Sequence, residues 1–182
     1  MQKFNVAVVG NAKTIKKSEK SKIAFNVGKL LVDNGFSVIT GGMGGVMKYA
    51  SKGAKSSKKY RYGKTIGILP NRDREDVNKY IDIPIYTGLG LVRNTILVTT
   101  ADAIISIGGG SGTLNEISTA WQMNKLIISI KSDGWSEALR GRSLDSRRDD
   151  SIFSADTPKE AIKVLKREVK SYSKKRFIGV QR

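Results

Sequence analysis

The sequence predicts an α/β domain, Rossmann-like, with a doubly wound, mostly parallel sheet and helices on both faces. Three observations predict it. The strand candidates are continuous apolar runs, as in Val6-Ala7-Val8-Val9 and Ile104-Ile105-Ser106-Ile107, which suits strands buried on both faces. They alternate with amphipathic stretches of helical length. Two glycine-rich turns each lie between a strand and a helix.

Residues 4–9 are nearly all apolar and rich in β-branched side chains, so they form the first, buried strand. Residues 18–34 follow a helical period: Ile23, Val27, Leu30 and Leu31 share one face, and Asn34-Gly35 supplies the stop. A strand at 36–40, a glycine-rich turn and a helix at 46–55 come next. Residues 65–69 make the third strand, ended by Pro70. A polar loop at 71–78 leads to a short strand at 81–86, where Pro84 suits an edge or irregular position. Then follow a helix at 91–100, a strand at 103–107, a helix at 114–123 and a strand at 126–130. Residues 134–151, with Arg140, Arg142, Arg147 and Arg148, read as a polar connection free to move. Thr157-Pro158-Lys159-Glu160 combines an N-cap, a first-turn proline and a capping-box glutamate, opening a last helix through Ala161, Ile162, Leu165 and Val169. One ligand-binding domain over 1–170 is expected, with 171–182 as a basic tail.

Charge limits the partners. The chain holds 33 Lys and Arg against 16 Asp and Glu, a net +17, which favours phosphorylated small molecules or nucleic acid. The lysines spread over the predicted helices rather than gathering in one arm, which fits a solvated surface and leaves nucleic acid the less favoured partner. Ser56-Ser57-Lys58-Lys59-Tyr60-Arg61-Tyr62 mixes bases with aromatics as single-strand binders do, and also reads as a loop. Without cysteine or histidine, the chain has no disulfide, Cys/His zinc site, Ser-His-Asp triad or Cys-His dyad. Catalysis falls to Asp, Glu, Lys, Arg, Ser, Thr, Tyr or backbone amides, and no metal site is expected. No stretch approaches the roughly 18 to 20 consecutive apolar residues of a membrane span. Met1-Gln2-Lys3-Phe4 lacks a signal-peptide pattern, so a cytoplasmic location without membrane contact is expected.

In such a sheet, ligands bind beyond the carboxyl ends of the strands, where the strand order reverses. The first strand runs into Gly10-Asn11-Ala12, without the G-x-G-x-x-G of a nicotinamide site. Gly63-Lys64-Thr65 imitates the end of a Walker A motif, but Lys58 stands where its first glycine belongs. The two remaining clusters are Gly41-Gly42-Met43-Gly44-Gly45-Val46-Met47 and Gly108-Gly109-Gly110-Ser111-Gly112-Thr113. Glycine lets the backbone approach an anion, and the following helix end presents free N–H groups and partial positive charge. Two such clusters at strand ends point to a phosphate or nucleotide site, whereas one alone would suit a tight turn. Duller readings stand beside this one. Thr113-Leu114-Asn115-Glu116 spells a capping box in which Glu116 would only bond the N-cap amide. Arg93 also reads as a surface base on a helix, and Met47 as a core or turn residue.

The second cluster resembles the P-G-G-x-G-T-x-x-E signature of the LOG ("lonely guy") proteins, once misnamed lysine decarboxylases. Gly109, Gly110, Gly112, Thr113 and Glu116 match, and Gly108 replaces the proline. The first resembles that family's G-G-x-x-G-x-M through Gly41, Gly42, Gly45 and Met47; Arg93 precedes Gly108 by the family's interval, and Asp102 also fits. The likeness spans residues 6–165. Asn94 and Asn115 depart from it, replacing the usual Lys and Glu, and residues 84–94 look more like a sister branch that includes molybdenum-cofactor carrier proteins. More distantly, the fold is similar to the DNA-processing protein DprA, which binds single-stranded DNA.

The LOG resemblance implies hydrolysis of a nucleoside 5′-monophosphate to base and ribose 5-phosphate, with no metal or cofactor required. Glu116 would stabilise the positive charge on the sugar or activate water, and Arg93 would fix the ligand or stabilise the departing base. Gly41, Gly42, Gly44, Gly45, Met47, Gly109, Gly110, Ser111, Gly112 and Thr113 would hold the phosphorylated ligand. The sister branch implies instead a non-enzymatic carrier whose bound ligand is of the molybdopterin type. The LOG resemblance implies a homodimer, or a higher homo-oligomer, formed through helices beside the site.

Overall fold

The computed structural model describes residues 4–13 and 18–175. Its elements are β1 (Asn5–Gly10), α1 (Glu19–Asp33), β2 (Ser37–Thr40), α2 (Gly45–Lys55), β3 (Thr65–Leu69), β4 (Ile83–Tyr86), a 3-10 turn (Gly90–Val92), α3 (Arg93–Thr100), β5 (Ala103–Ile107), α4 (Ser111–Gln122), β6 (Leu126–Ile130), α5 (Gly134–Ala138), β7 (Phe153–Ala155) and α6 (Pro158–Tyr172). The strands form one sheet in the order β4-β3-β2-β1-β5-β6-β7, and every pair is parallel. Parallel pairs need crossovers, and the crossover helices cover both faces. Successive strand residues therefore fall into two cores. Val6, Val8, Val38, Ile105 and Ile128 pack with α1, α2 and α6, whereas Ala7, Val9, Ile39, Ile104 and Ile127 pack with α3 and α4. That division is why the strands read as unbroken apolar runs.

Helix ends follow their local chemistry. The Ser18 side chain accepts from the Ser21 N–H at 3.3 Å to cap α1, and Thr157 accepts from the Glu160 N–H at 3.2 Å to cap α6. Pro84 lies in β4, which is an edge strand as the proline requires. The last helix runs on through Ser171 and Tyr172, the first residues of the expected tail, and Tyr172 is buried. Residues 176–182 of that tail, and Met1 to Lys3 of the signal-peptide reading, lie outside the described residues.

The connection at 134–151 is not the loose segment its polarity suggested. It contains α5, and it buries Arg148, whose guanidinium bonds the Asp150 carboxylate at 2.7 and 2.8 Å and the Lys125 carbonyl at 3.0 Å. The same guanidinium lies 4.3 Å from the Trp121 ring centroid. Burial works against ionisation of Asp150, but hydrogen bonds from Arg148 and Tyr172 outweigh it and hold the carboxyl below its ordinary value. A further strand, β7, was not anticipated because its three residues are too short to show a period. Trp121 is a core residue, whereas Trp135 is 41% exposed.

Two helical glycines set the spacing of α1 and α2. A Cβ on Gly28 would lie 1.9 Å from the Ala50 carbonyl oxygen, and one on Gly53 would lie 1.8 Å from that of Phe25. The two backbones touch where neither can carry a side chain, which fixes α2 and the glycine turn before it. An unhindered helical Gly→Ala change gains roughly 1 kcal/mol of helix propensity. Here the overlap with backbone should dominate, and Gly53→Ala is expected to lose about 2 kcal/mol net. A denaturation midpoint equal to or above wild type would refute the close contact.

Candidate functional site

β1 has β2 on one side and β5 on the other, so the strand order reverses there. The crossover leaving β1 for β2 runs through α1 on one face, and that leaving β5 for β6 runs through α4 on the other. Neither closes over the gap between the two carboxyl ends. The gap is a cleft of about 300 Å³. Its walls are the turn Gly10-Asn11-Ala12, the start of the first glycine cluster, and the first turns of α3 and α4.

Arg93 opens α3 and is buried, 9% exposed, on the cleft wall. Its guanidinium lies over the backbone at Gly41: a Cβ there would be 2.3 Å from Nη1 and 2.6 Å from the Met47 sulfur. Gly41 is thus a glycine because an arginine and a methionine occupy the space of its side chain. Neither Nε nor Nη1 of Arg93 has a hydrogen-bond partner among the described residues. Burial lowers the guanidinium pKa and the negative charge of Glu116 raises it again. Buried donors of this kind are nearly always satisfied in native proteins, so a pair left open marks a place built for something else.

Glu116 faces the same cleft and is 7% exposed. It forms no ion pair with Arg93 within 4.0 Å, so the two groups influence each other only across a gap. Burial pushes its carboxyl up from 4.5 to about 7, partly offset by the Arg93 charge. The capping-box reading of Glu116 fails. The N-cap of α4 is Gly110, which places Thr113 inside the first turn and Glu116 in the second. The threonine has a different use: its Oγ1 occupies the space of a Cβ on Gly109, at 2.2 Å.

Gly110 cannot cap with a side chain, so the first N–H groups of α4 have no intrahelical or cap partner. Space is open where Cβ atoms on Gly110 and Gly112 would stand. Free amides, a helix N-terminus and open volume beside Arg93 make an anion site. Ser111, Gly112 and Thr113 all line it.

The first glycine cluster divides. Gly41 and Met47 line the cleft, but Gly42, Gly44 and Gly45 do not. A Cβ on Gly45 would be 2.1 Å from the Asn11 carbonyl oxygen, and one on Gly44 would be 3.0 Å from that of Ala12. Asn11 is the residue that motif reasoning missed. Its carbonyl accepts from the Val46 N–H at 2.9 Å, and its Oδ1 accepts from the Gly109 N–H at 2.9 Å. One side chain and one carbonyl thereby tie both glycine turns to the end of β1. No familiar motif flags it; only its place after the strand where the order reverses could have. Asn94 and Asn115, the two departures, bond each other at 3.3 Å beside the cleft. Asp102 lies instead at the amino end of β5, accepting from the Asn5 N–H at 2.7 Å. A larger hollow of about 370 Å³ opens at that end. The ammonium of Lys125 there is already held by the carbonyls of Thr99 and Ala101, so the hollow has no chemistry comparable to the cleft.

The model of the SLOG cluster4 family matches residues 3–162. The chain belongs to that family. An uncharacterised protein of Archaeoglobus fulgidus is 36% identical over 162 residues, covering 89% of this chain and 94% of its own. Among solved structures, the molybdenum cofactor binding protein of Rippkaea orientalis is 33% identical with TM-score 0.80, covering 93% of this chain and 99% of its own. The molybdenum cofactor carrier protein of Chlamydomonas reinhardtii is 28% identical with TM-score 0.76, covering 92% and 98%. DNA processing protein A of Helicobacter pylori shares the fold at TM-score 0.64 and 17% identity.

The buried carboxyl makes the stability of this SLOG cluster4 protein pH-dependent. A carboxyl whose pKa is higher folded than unfolded favours folding while protonated. Its contribution is complete below about 4.5 and is lost as pH rises to about 7. Over that interval the wild type should lose about 3 kcal/mol relative to Glu116→Gln. Parallel pH–stability curves for the two proteins would contradict the burial of an unpaired carboxyl.

Proposed function

We propose that the cleft binds a phosphorylated, nucleotide-like ligand, and that the ligand is a pterin phosphate of the molybdenum-cofactor class, carried without being broken down. The observation that carries the reading is the buried Arg93 guanidinium, with two unpartnered donors, beside the uncapped start of α4. Together they supply a positive charge and several N–H groups for one phosphate or similar anion. The pterin class is supported by the relatives at 28 and 33% identity, which bind or carry molybdenum cofactor and match this chain over nearly its whole length.

A second reading rests on Glu116. A carboxyl of pKa about 7 across the cleft from an arginine is suited to acid–base work, and a nucleoside 5′-monophosphate could set its N-glycosidic bond beside it. As the bond breaks, the carboxylate form would offset positive charge on the sugar or take a proton from water, and water would deliver ribose 5-phosphate and free base.

Binding of molybdopterin, followed by pterin fluorescence, tests the first reading with Gly110→Val. A Cβ at Gly110 would have nothing within 4 Å, and the backbone there, at φ −102°, suits an L-residue, so melting should stay near wild type. Affinity should fall about tenfold or more, the loss of one charge-assisted contact. Unchanged affinity in the folded variant would reject the site. Incubation with AMP separates the two readings: a carrier yields no ribose 5-phosphate. If the sugar phosphate does appear, and Glu116→Gln slows its release about 100-fold or more while AMP still binds, the hydrolase reading replaces the carrier.

A further inference from the structure

A carrier that keeps its ligand whole has no bond for Glu116 to break, yet this is the one buried glutamate of six. The walls around it are otherwise nearly free of charge. Arg93 is the sole charged residue of α3, and Glu116 that of α4. β1, the turn at Gly10-Asn11-Ala12, residues 41–47 and the 3-10 turn carry none. Lys13 and Lys48, next along the chain, are exposed and off the cleft wall, while Lys20 and Asp133 hold each other at 2.7 Å. Among the described residues the cleft thus has one cation and one acid, and the two do not meet.

We infer, resting on the anion-binding reading above, that the ligand enters this cleft together with a proton from solvent. Glu116 in the loaded protein is then a neutral acid that donates a hydrogen bond to the ligand. Three effects act in this one direction. An anion on the open Nε and Nη1 donors of Arg93 neutralises the charge that favours an ionised Glu116. The anion is itself a like charge beside the carboxylate, and it displaces water from it. A round cleft of about 300 Å³ is roughly 8 Å across. At roughly that distance and an effective dielectric of about 20, one unit charge weighs against ionisation by a factor of about 30. Burial has already brought the carboxyl of the empty cleft to about 7, so the bound anion keeps it protonated through the neutral range. The sign follows: protonated Glu116 offers a donor and no repulsion, whereas ionised Glu116 opposes the ligand. Affinity is therefore greatest below about 7 and falls as pH rises above it. Loss of one proton loosens the ligand without breaking any bond in it.

Molybdopterin binding to the full chain is the test. Calorimetry at about pH 7.5, in two buffers of different ionisation enthalpy, should show the wild type taking up about half a proton or more beyond Glu116→Gln. Between about pH 6 and 8 the wild-type Kd should rise about fivefold to tenfold relative to that of the variant, whose own slope reports ionisation of the ligand. Should the variant fail to fold, wild type labelled with carbon-13 at its glutamate carboxyls serves instead. The Glu116 signal should titrate near 7 in the free protein and keep its acid position beyond about pH 8 with molybdopterin bound. Equal proton uptake and equal pH slopes in the two proteins, or a Glu116 signal that the ligand moves toward the ionised form, would overturn the inference and leave the anion site standing. Absence of molybdopterin binding at every pH would overturn both.

Discussion

Everything at the site depends on the reversal of strand order at β1. The connections leaving β1 and its neighbour β5 depart on opposite faces of the sheet, so the chain does not cover the gap between their carboxyl ends. The elements arriving at that end bring their amino termini, and with them free N–H groups and partial positive charge. An anion-binding gap is therefore a consequence of topology before any side chain is considered. What this chain adds is how the gap is lined, and Asn11, holding both glycine turns from the end of β1, keeps that lining in place.

Within the lining, local stability has been given up. Arg93 keeps two buried donors unpartnered, and Glu116 is buried without a close counter-charge, each an unfavourable arrangement in isolation. The surroundings hold them there: Gly41 and Met47 shape the bed of the guanidinium, while Ile117, Ala120 and Trp121 anchor the helix that carries Glu116. By contrast, Arg148, equally buried, is fully engaged by Asp150, the Lys125 carbonyl and the Trp121 face. Two arginines of similar burial thus have opposite characters, one structural and satisfied, the other open to a ligand. Hydrogen bonding rather than burial distinguishes them.

The glycines divide in the same way. Gly28 and Gly53 allow helix backbones to touch; Gly41 and Gly109 make room for a neighbour's side chain; Gly44 and Gly45 yield to the turn after β1. Within the two glycine clusters only Gly110 and Gly112 face open space. A glycine-rich motif is consequently a mixed signal, in which packing and ligand access are spelled with one letter.

The sequence by itself determined the fold class, because unbroken apolar strands between amphipathic helices can bury both faces in few other ways. It also marked the two glycine turns, because glycine clusters at strand ends are legible in the chain itself, and, through the LOG resemblance, Arg93 and Glu116 as candidate site residues. That Gly41, Arg93, Gly110 and Glu116 border one cleft comes from the fold. The sequence could not give the true start of α4, because Thr113 and Glu116 satisfy a capping pattern whether or not the helix begins there; Gly110, already in place as N-cap, decided it. Nor could it show that the connection at 134–151 is anchored, since the partners of Arg148 include Lys125 and Tyr172, distant in the chain. The strand order, the role of Asn11 and the unpartnered state of Arg93 arise only from long-range contacts. Tertiary structure decided them, because whether a buried polar group is satisfied depends on what the fold brings beside it.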